Sequence, residues 1–473
     1  MSAPSALAAP SGAGAPVPGP VADTPLRARM WRAAGWLLGS SIASQALRLG
    51  SSLVLTRLLV PEAFGLVAAV QTLYFALVMF SDLGVWQSVV NRRTAVDARF
   101  LGTAMSVQLL RGGLLALVVL ALALGLQAGA ARGLFGPATV YADPRLPWMM
   151  AVFALAALLQ GAESLHLATA QRELRTADLA RLELSSQLAG MAVTIGLALV
   201  TRSVWSLVAG TLVATAARTA LSHLLPGSRV RPGWDRGCAR EILGFGRWIF
   251  LSSLIGFAAA QGEKLMLGGT LDAAAFGVFS IAATLLAALT GLLGGLNAHL
   301  VFPGLSEALR QGPAQAARVY QRVQRGADAV LGLTAGLACM AGGWVVHLLY
   351  DARYADAAWM LQVLALGLLA VRYQVLEQMM FARAQPAWVT GSNALRALSL
   401  AVAIPLGHAA GGTQGAVLAV AASQFAGWPL ALVFKHRQGL LGWRSEAVWP
   451  LALAAGLGLG WLLDAGLRAL AAR

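Results

Sequence analysis

Apolar runs of about twenty residues recur along the chain, and no other feature restricts its fold so much, because a helix of that length matches the hydrocarbon thickness of a bilayer. Cutting the sequence where charges, Pro or Gly interrupt such runs gives thirteen segments. They are Ala33–Leu59, Phe64–Val90, Leu101–Ala128, Pro147–Ala170, Leu182–Val200, Val204–Leu225, Ile242–Leu267, Ala275–Val301, Ala329–Leu349, Ala357–Phe381, Trp388–Gly407, Gly415–Phe434 and Val448–Leu463. Composition requires the same solvent. Of 473 residues, 58% are hydrophobic and 12% charged, whereas soluble domains carry about 25% charged residues to solvate their surfaces. The net charge of +15 does not point to a nucleic-acid partner, since no exposed domain gathers the Lys and Arg. An all-α polytopic membrane protein follows.

Residues 1–32 read as a disordered cytoplasmic tail: the first 24 are rich in Ala, Pro, Gly and Ser and lack the basic and apolar regions of a signal peptide. The first span is then expected to direct insertion. Cys238 and Cys339 sit in no metal-ligand spacing, so neither a disulfide, a metal nor a cofactor is expected.

Of the 35 Lys and Arg, twenty-one fall in the N-terminal segment and every second loop thereafter, among them Arg92, Arg99, Arg172, Arg181, Arg231, Arg318 and Arg444. Seven fall in the alternate loops, Arg57, Arg132, Arg145, Arg202, Arg353, Arg468 and Arg473. Because cytoplasmic loops retain cations, this bias places the N-terminus in the cytoplasm. The basic stretch Ser306–Gly326 carries Arg318, Arg322 and Arg325 along one helix and reads as a contact for anionic lipid headgroups.

An ungapped shift of 212 residues lays Trp36–Leu66 over Trp248–Val278. Trp36/Trp248, Ser40-Ser41/Ser252-Ser253, Gly50/Gly262 and Ala63-Phe64-Gly65/Ala275-Phe276-Gly277 coincide, and Trp, a Ser pair and an AFG triplet are not what apolar composition repeats by chance. An even number of spans separates the copies, so the halves share one orientation and are related by a pseudo-two-fold axis along the membrane normal. The expected division is an N-lobe of six helices (33–225), a linker (226–241), a C-lobe of six helices (242–434) and a C-terminal loop with an extra helix (435–473).

Leu55–Arg93, LTRLLVPEAFGLVAAVQTLYFALVMFSDLGVWQSVVNRR, resembles the N-terminal signature of bacterial oligosaccharide flippases, the polysaccharide transporter family that includes the Wzx-type O-antigen flippases. Gly262–Ala282 is similar to the start of that family's C-terminal lobe, and VFPGLSEA (Val301–Ala308) to its exit from the eighth span. The resemblance runs in span pattern from Ala33 to about Arg444. It implies the fold of the multidrug/oligosaccharidyl-lipid/polysaccharide superfamily, with 12 or 14 helices; the thirteen segments depart from this at the C-terminus. Glu263 stands where the family pattern has Asp. The implied function is translocation of a polyprenyl-pyrophosphate-linked oligosaccharide, an O-antigen, exopolysaccharide or capsule unit, across the bacterial inner membrane by alternating access. Implied partners are this substrate and membrane lipids, with the polysaccharide polymerase machinery as a further candidate, and the chain is expected to be a monomer.

Ionisable groups within spans cost several kcal/mol unless paired or hydrated, so each is a candidate. Ser41, Gln45, Arg48 and Ser52 form one polar stripe on the first helix, and the repeat maps it onto Ser253, Phe257, Ala260 and Lys264. Arg111 falls about 15 Å into the third span, beside Gly112-Gly113. Arg372 and Glu377 lie in the tenth span, where an internal ion pair and a binding site are equally good readings. Arg48, Arg111, Lys264 and Arg372 are the candidate substrate-binding residues, because a pyrophosphate needs cations in a hydrated cleft. Asp82, Glu263, Glu377, Arg218 and Arg396 are candidates for coupling or structural roles; Arg218 and Arg396 are close enough to basic span ends to snorkel. Glu163, His166, His299 and His347 lie near span ends without a ligand set.

The alternative to a flippase is a cation-coupled multidrug exporter of the same superfamily, which would need membrane-embedded carboxylates; here interior cations outnumber them. An enzyme is not expected. The longest outer loop, about 129–146, is too small for a catalytic domain, and no nucleophile–base or metal constellation is present.

Overall fold

The computed structural model describes residues 26–91, 97–173, 175–225, 230–296 and 301–471. The tail to residue 25, Arg92, Arg93, Arg229 and His299 lie outside the described residues, as do the side chains of Arg27, Arg29, Arg32, Arg247, Trp248, Ser252 and Ser253.

Among the described residues every regular element is a helix. The first half comprises α1 (Leu26–Leu58), α2 (Pro61–Phe80), α3 (Val85–Asn91), α4 (Ala98–Ala131), α5 (Arg145–Gly161), α6 (His166–Arg172), α7 (Thr176–Thr201) and α8 (Trp205–Ser222). The second comprises α9 (Arg236–Gly268), α10 (Ala273–Leu296), α11 (Phe302–Arg310), α12 (Pro313–Leu349), α13 (Ala357–Ala365), α14 (Leu368–Val371), α15 (Tyr373–Ala382), α16 (Pro386–Ser423) and α17 (Trp428–Arg437), followed by α18 (Trp443–Glu446) and α19 (Val448–Ala471). Within the described residues each of the thirteen apolar segments falls on one helix or on consecutive helical pieces, Ala275–Val301 being described only through residue 296 and at 301. Among the described residues seven helices are long and apolar enough to cross a bilayer, or eight when α5 and α6, bent by 58°, are taken as one span.

Local chemistry sets the breaks. Pro61, Pro313 and Pro386 start their helices, where the missing N–H costs nothing. Asp97 and Asp235 cap α4 and α9 by accepting from the backbone N–H of Phe100 (3.1 Å) and Cys238 (2.9 Å). α9 therefore begins at Arg236, inside the stretch expected as linker. α16 turns back on itself at Gly411 and Gly412, the latter with φ +57°, so its two arms serve as the eleventh span and the start of the twelfth. They touch where Gly407 meets Gly415: a Cβ on Gly415 would fall 1.9 Å from the Gly407 carbonyl oxygen. The second span, expected to be continuous through Val90, breaks at Ser81–Gly84 into α2 and α3. Asp82 holds that break by accepting from Gly84 N (2.9 Å) and Gln87 Nε2 (3.4 Å).

The cation-rich loops lie at one end of the bundle, here the basic face; the α1–α2, α4–α5, α9–α10 and α12–α13 connections lie at the opposite face. At the opposite face the repeat becomes a contact. Gly65 and Gly277, equivalent under the 212-residue shift, pack against each other where α2 crosses α10, and each lies on the backbone of the other repeat's Pro61 or Ala273. The core continues across this junction, uniting Leu59, Leu66, Tyr354, Leu271 and Phe276. Farther along, Phe257 of α9 packs on Phe75 and Phe80 of α2, with ring centroids 6.3 and 5.3 Å apart.

α19 packs along α12 more extensively than any other pair of helices. Gly332 and Gly336 on α12 face Ala452, Gly456 and Gly460 on α19, and a Cβ on Gly336 would fall 2.5 Å from Leu457 N. Small residues permit this approach and the dispersion contacts that hold helices together in lipid.

Candidate functional site

The polar interior belongs chiefly to the second half. Two adjoining cavities of about 270 and 230 Å³ run between α9, α10, α14–α15 and α16, sharing Ala260, Val371, Gln374, Arg396 and Gln424 as walls. The first holds Gln261, Glu263 and Lys264; the second holds Glu377 and Asn393. Glu263 accepts from Gln424 Nε2 (3.1 Å) and lies 3.8 Å from the Arg396 guanidinium. The Nε of Arg396 is buried without a hydrogen-bond partner among the described residues. Lys264, half-buried, has neither a hydrogen-bond nor an ion-pair partner among them.

Arg48 stands on α1, exposed and near enough to Lys264 for the two charges to repel. One turn away, Gln45 reaches the same cavity wall, its Nε2 3.5 Å from the Ala287 carbonyl oxygen. The two cations placed by the repeat on equivalent first helices thus face each other across the lobes. Three cations (Arg48, Lys264, Arg396) and two carboxylates (Glu263, Glu377) gather here, an arrangement that attracts an anion while leaving acceptors for a small cation.

The remaining candidates lie elsewhere. Arg111 donates from Nε to the Ser81 carbonyl oxygen (2.7 Å) and from Nη2 to that of Val78 (2.9 Å). It satisfies carbonyls at the C-terminal end of α2, the negative end of the helix dipole. Around it Leu77, Phe80, Leu114 and Trp234 line an apolar cavity of about 450 Å³. Arg218 binds Glu163 (2.7 Å) and Glu183, drawing α7, α8 and the α5–α6 break together instead of snorkelling.

Arg372 is buried in an ion cluster, and its partners are not Glu377. It donates to both oxygens of Asp328 (2.8 and 2.7 Å) and to Glu446 (2.8 Å), which in turn accepts from Lys435 Nζ (2.6 Å). Tyr320 and Gln324 complete the chain through Oη–Oε1 (3.1 Å) and Nε2–Oδ1 (2.7 Å) contacts toward Asp328. Asp328, Lys435 and Arg372 are 0%, 1% and 2% exposed, so two cations and two carboxylates neutralise one another away from the cavities. The cluster ties α12, α15 and α17 to α18. Asp328 is absent from the sequence-derived candidates; its signal is the spacing Tyr320, Gln324, Asp328, one polar face repeating every fourth residue.

Helix order, the paired halves and a charged interior define a polytopic membrane protein with the multidrug/oligosaccharidyl-lipid/polysaccharide superfamily fold. The chain aligns with an inward closed conformation of the lipid II flippase MurJ at TM-score 0.63 and 11% identity, over 90% of this chain and 93% of that one. It aligns with an inward-facing multidrug resistance MATE transporter at 0.57 and 15%, over 84% and 94%. A superfamily transporter from Pyrococcus furiosus, described as having a binding pocket of reversed polarity, aligns at 0.51 and 15%, over 89% and 96%. These are transporters and flippases, not enzymes. No curated protein matches the sequence significantly. Residues 54–359 match the polysaccharide biosynthesis protein family Polysacc_synt_3, and the chain belongs to that family.

Proposed function

We propose that the protein translocates a polyprenyl-pyrophosphate-linked oligosaccharide across the bacterial inner membrane by alternating access, with its basic face and N-terminus in the cytoplasm. The observation that carries this reading is Lys264, a half-buried cation with no hydrogen-bond or ion-pair partner among the described residues, attracted by the adjoining Glu263 and repelled by Arg48 of the other lobe, in a polar cavity it shares with Arg396. A cation with no contacting partner in a membrane interior is costly, and a ligand with two phosphates repays that cost by charge-assisted hydrogen bonds. Membership of a polysaccharide biosynthesis family supports a glycan cargo, and the fold shared with a lipid II flippase supports a lipid-linked one. The 21-to-7 cation bias between alternate loops supports the orientation. Among the interior cations, Arg48, Lys264 and Arg396 hold the pyrophosphate; Arg111 and Arg372 shape the scaffold through α2 and the ion cluster.

The test is translocation of a fluorescent polyprenyl-pyrophosphate oligosaccharide in proteoliposomes. Lys264→Gln and Arg48→Gln should each slow it at least about tenfold, the cost of one charge-assisted contact. Wild-type rates in both, with normal folding, would sink the reading. Glu263 and Glu377, one in each of the two adjoining cavities, favour a second reading, cation-coupled drug export. It predicts that Glu377→Gln abolishes efflux of a cationic dye while Lys264→Gln leaves it intact.

A further inference from the structure

Each lobe sends a short 3₁₀ turn across the opposite face onto the other lobe. From the first half, Val140–Ala142 reaches the end of α9: Tyr141 Oη donates to the Leu265 carbonyl oxygen (2.8 Å), and Val140 N donates to that of Leu271 (3.1 Å). From the second half, Ala352–Tyr354 reaches the end of α1: Tyr354 Oη donates to the Leu59 carbonyl oxygen (3.0 Å), and Arg353 Nη2 to that of Thr56 (3.0 Å). Leu59 and Leu271 are equivalent under the 212-residue repeat. The turns share a motif, Tyr141-Ala142-Asp143 and Tyr354-Ala355-Asp356, 213 residues apart. Two tyrosines of one motif thus cross in opposite directions, Tyr354 onto Leu59 and Tyr141 onto Leu265, while Leu271, the counterpart of Leu59, is taken by the Val140 backbone beside Tyr141.

The receiving surfaces are shaped for these rings. A Cβ on Gly268 would lie 2.9 Å from Tyr141 Oη, and Tyr354, fully buried, meets Phe64 edge-on at 6.0 Å. Both acceptors are carbonyls at helix ends, which have no partner within their own helix. Such bonds persist only while the lobes stay together, and separation exposes two buried donors and two acceptors.

We infer that Tyr141 and Tyr354 are paired positioning residues that latch the opposite face shut, so that opening this face requires both hydroxyls to release the other lobe. This rests on the two-state transport reading above, although the latch itself is a property of the apo protein.

The experiment uses full-length protein with Cys238 and Cys339 replaced by Ala and spin labels at Arg132→Cys and Ala410→Cys, exposed sites on either half at the opposite face. Distance distributions are recorded in nanodiscs without substrate. Tyr141→Phe and Tyr354→Phe keep the rings and remove the hydroxyls; each should lower the closed-to-open ratio about fivefold, and both together about 25-fold. Gly268→Ala, which displaces the Tyr141 hydroxyl without altering it, should reproduce the Tyr141→Phe shift. Tyr74→Phe is the control, since the buried Tyr74 hydroxyl has no partner, and should move nothing. Unmoved distances in both Tyr→Phe variants with intact thermal unfolding, or a shift in only one, would overturn the latch. Because no cargo is present, failure of the latch is separable from failure of the transport reading, which is judged by translocation in otherwise closed protein.

Discussion

Replacing Gly65 or Gly277 with Ala should wedge the two lobes apart at the opposite face, and the two changes together should do little more than one. A Cβ on Gly65 would lie 2.0 Å from the Ala273 carbonyl oxygen, and one on Gly277 1.9 Å from that of Pro61. Ordinary contact begins at 3.4 Å, so α2 and α10 must separate by about 1.4 Å, the shortfall of the Gly65 contact. The obstructing atoms are backbone on both sides, so no side-chain rotation relieves them. Overpacking of this kind costs about 1–3 kcal/mol, and because separation removes it, the cost falls on the closed state alone. The closed-to-open ratio should therefore drop by about 5- to 150-fold. One displacement relieves both clashes, since each glycine is the other's neighbour across the pseudo-two-fold axis. A double-mutant cycle should then show strong sub-additivity, the double variant matching the larger single effect. The distance between labels at positions 132 and 410 reads this directly. Additive shifts would mean that each helix deforms within its own lobe, and an unmoved distribution in folded protein would mean that the glycine contact does not control the face; either result refutes the reasoning.

Asp328→Asn should lower thermal stability in detergent by the equivalent of about 3–5 kcal/mol, because it strips Arg372 of a bidentate partner inside a buried cluster; a scanning-fluorimetry midpoint within a degree of wild type would contradict this. Gly336→Leu should detach α19 from α12, measured as faster proteolysis after Arg437, since its backbone lies against Leu457 with no room for a side chain. The hydrogen bond from Arg353 holds Asp351 below the ordinary carboxylate range in the α12–α13 turn. The contribution of that pair is fully present above the ordinary value near pH ~3.9 and is lost as pH falls through the lowered one. Label distances should accordingly stay constant from neutral pH to the mid-fours and lengthen only under stronger acid, a response that Arg353→Gln should abolish.

Span positions were readable because hydrocarbon thickness imposes them residue by residue, and the repeat was readable because Trp, paired Ser and the AFG triplet stand out from an apolar background. The partners of buried charges were not. Arg372 and Glu377 are five residues apart in one span, yet Arg372 pairs with Asp328 from α12 and Glu446 from α18, a choice fixed by how three distant helices pack. Arg218 shows the same limit: its distance from a span end allowed snorkelling, and Glu163 and Glu183 are brought to it by the α5–α6 break and α7. Arg111 looked like a pyrophosphate ligand because the break in α2 that consumes its donors leaves only Ser81–Gly84 as a trace in sequence. The Lys264 and Arg48 side chains have no hydrogen-bond or ion-pair partner among the described residues, which pattern alone could not establish, because an absence of partners depends on every helix that packs nearby.

The two halves have kept the same contact surface and diverged inside. At the opposite face the repeat is visible in contacts: Gly65 lies against Gly277, and Tyr141 and Tyr354 cross in both directions, onto Leu265 and Leu59. A symmetric closure must break symmetrically, so each substitution there is seen by both lobes and constrains its counterpart. The interior obeys no such pairing. Ser52 stands in the first half where Lys264 stands in the second, and the first half's buried charges are already satisfied by Glu163, Glu183 and the end of α2. The cargo proposed above, with one charged headgroup and one lipid tail, is itself asymmetric. A transporter for such a cargo needs a polar interior in one half only, and a two-sided gate around a one-sided site is what the proposed cargo requires of this fold.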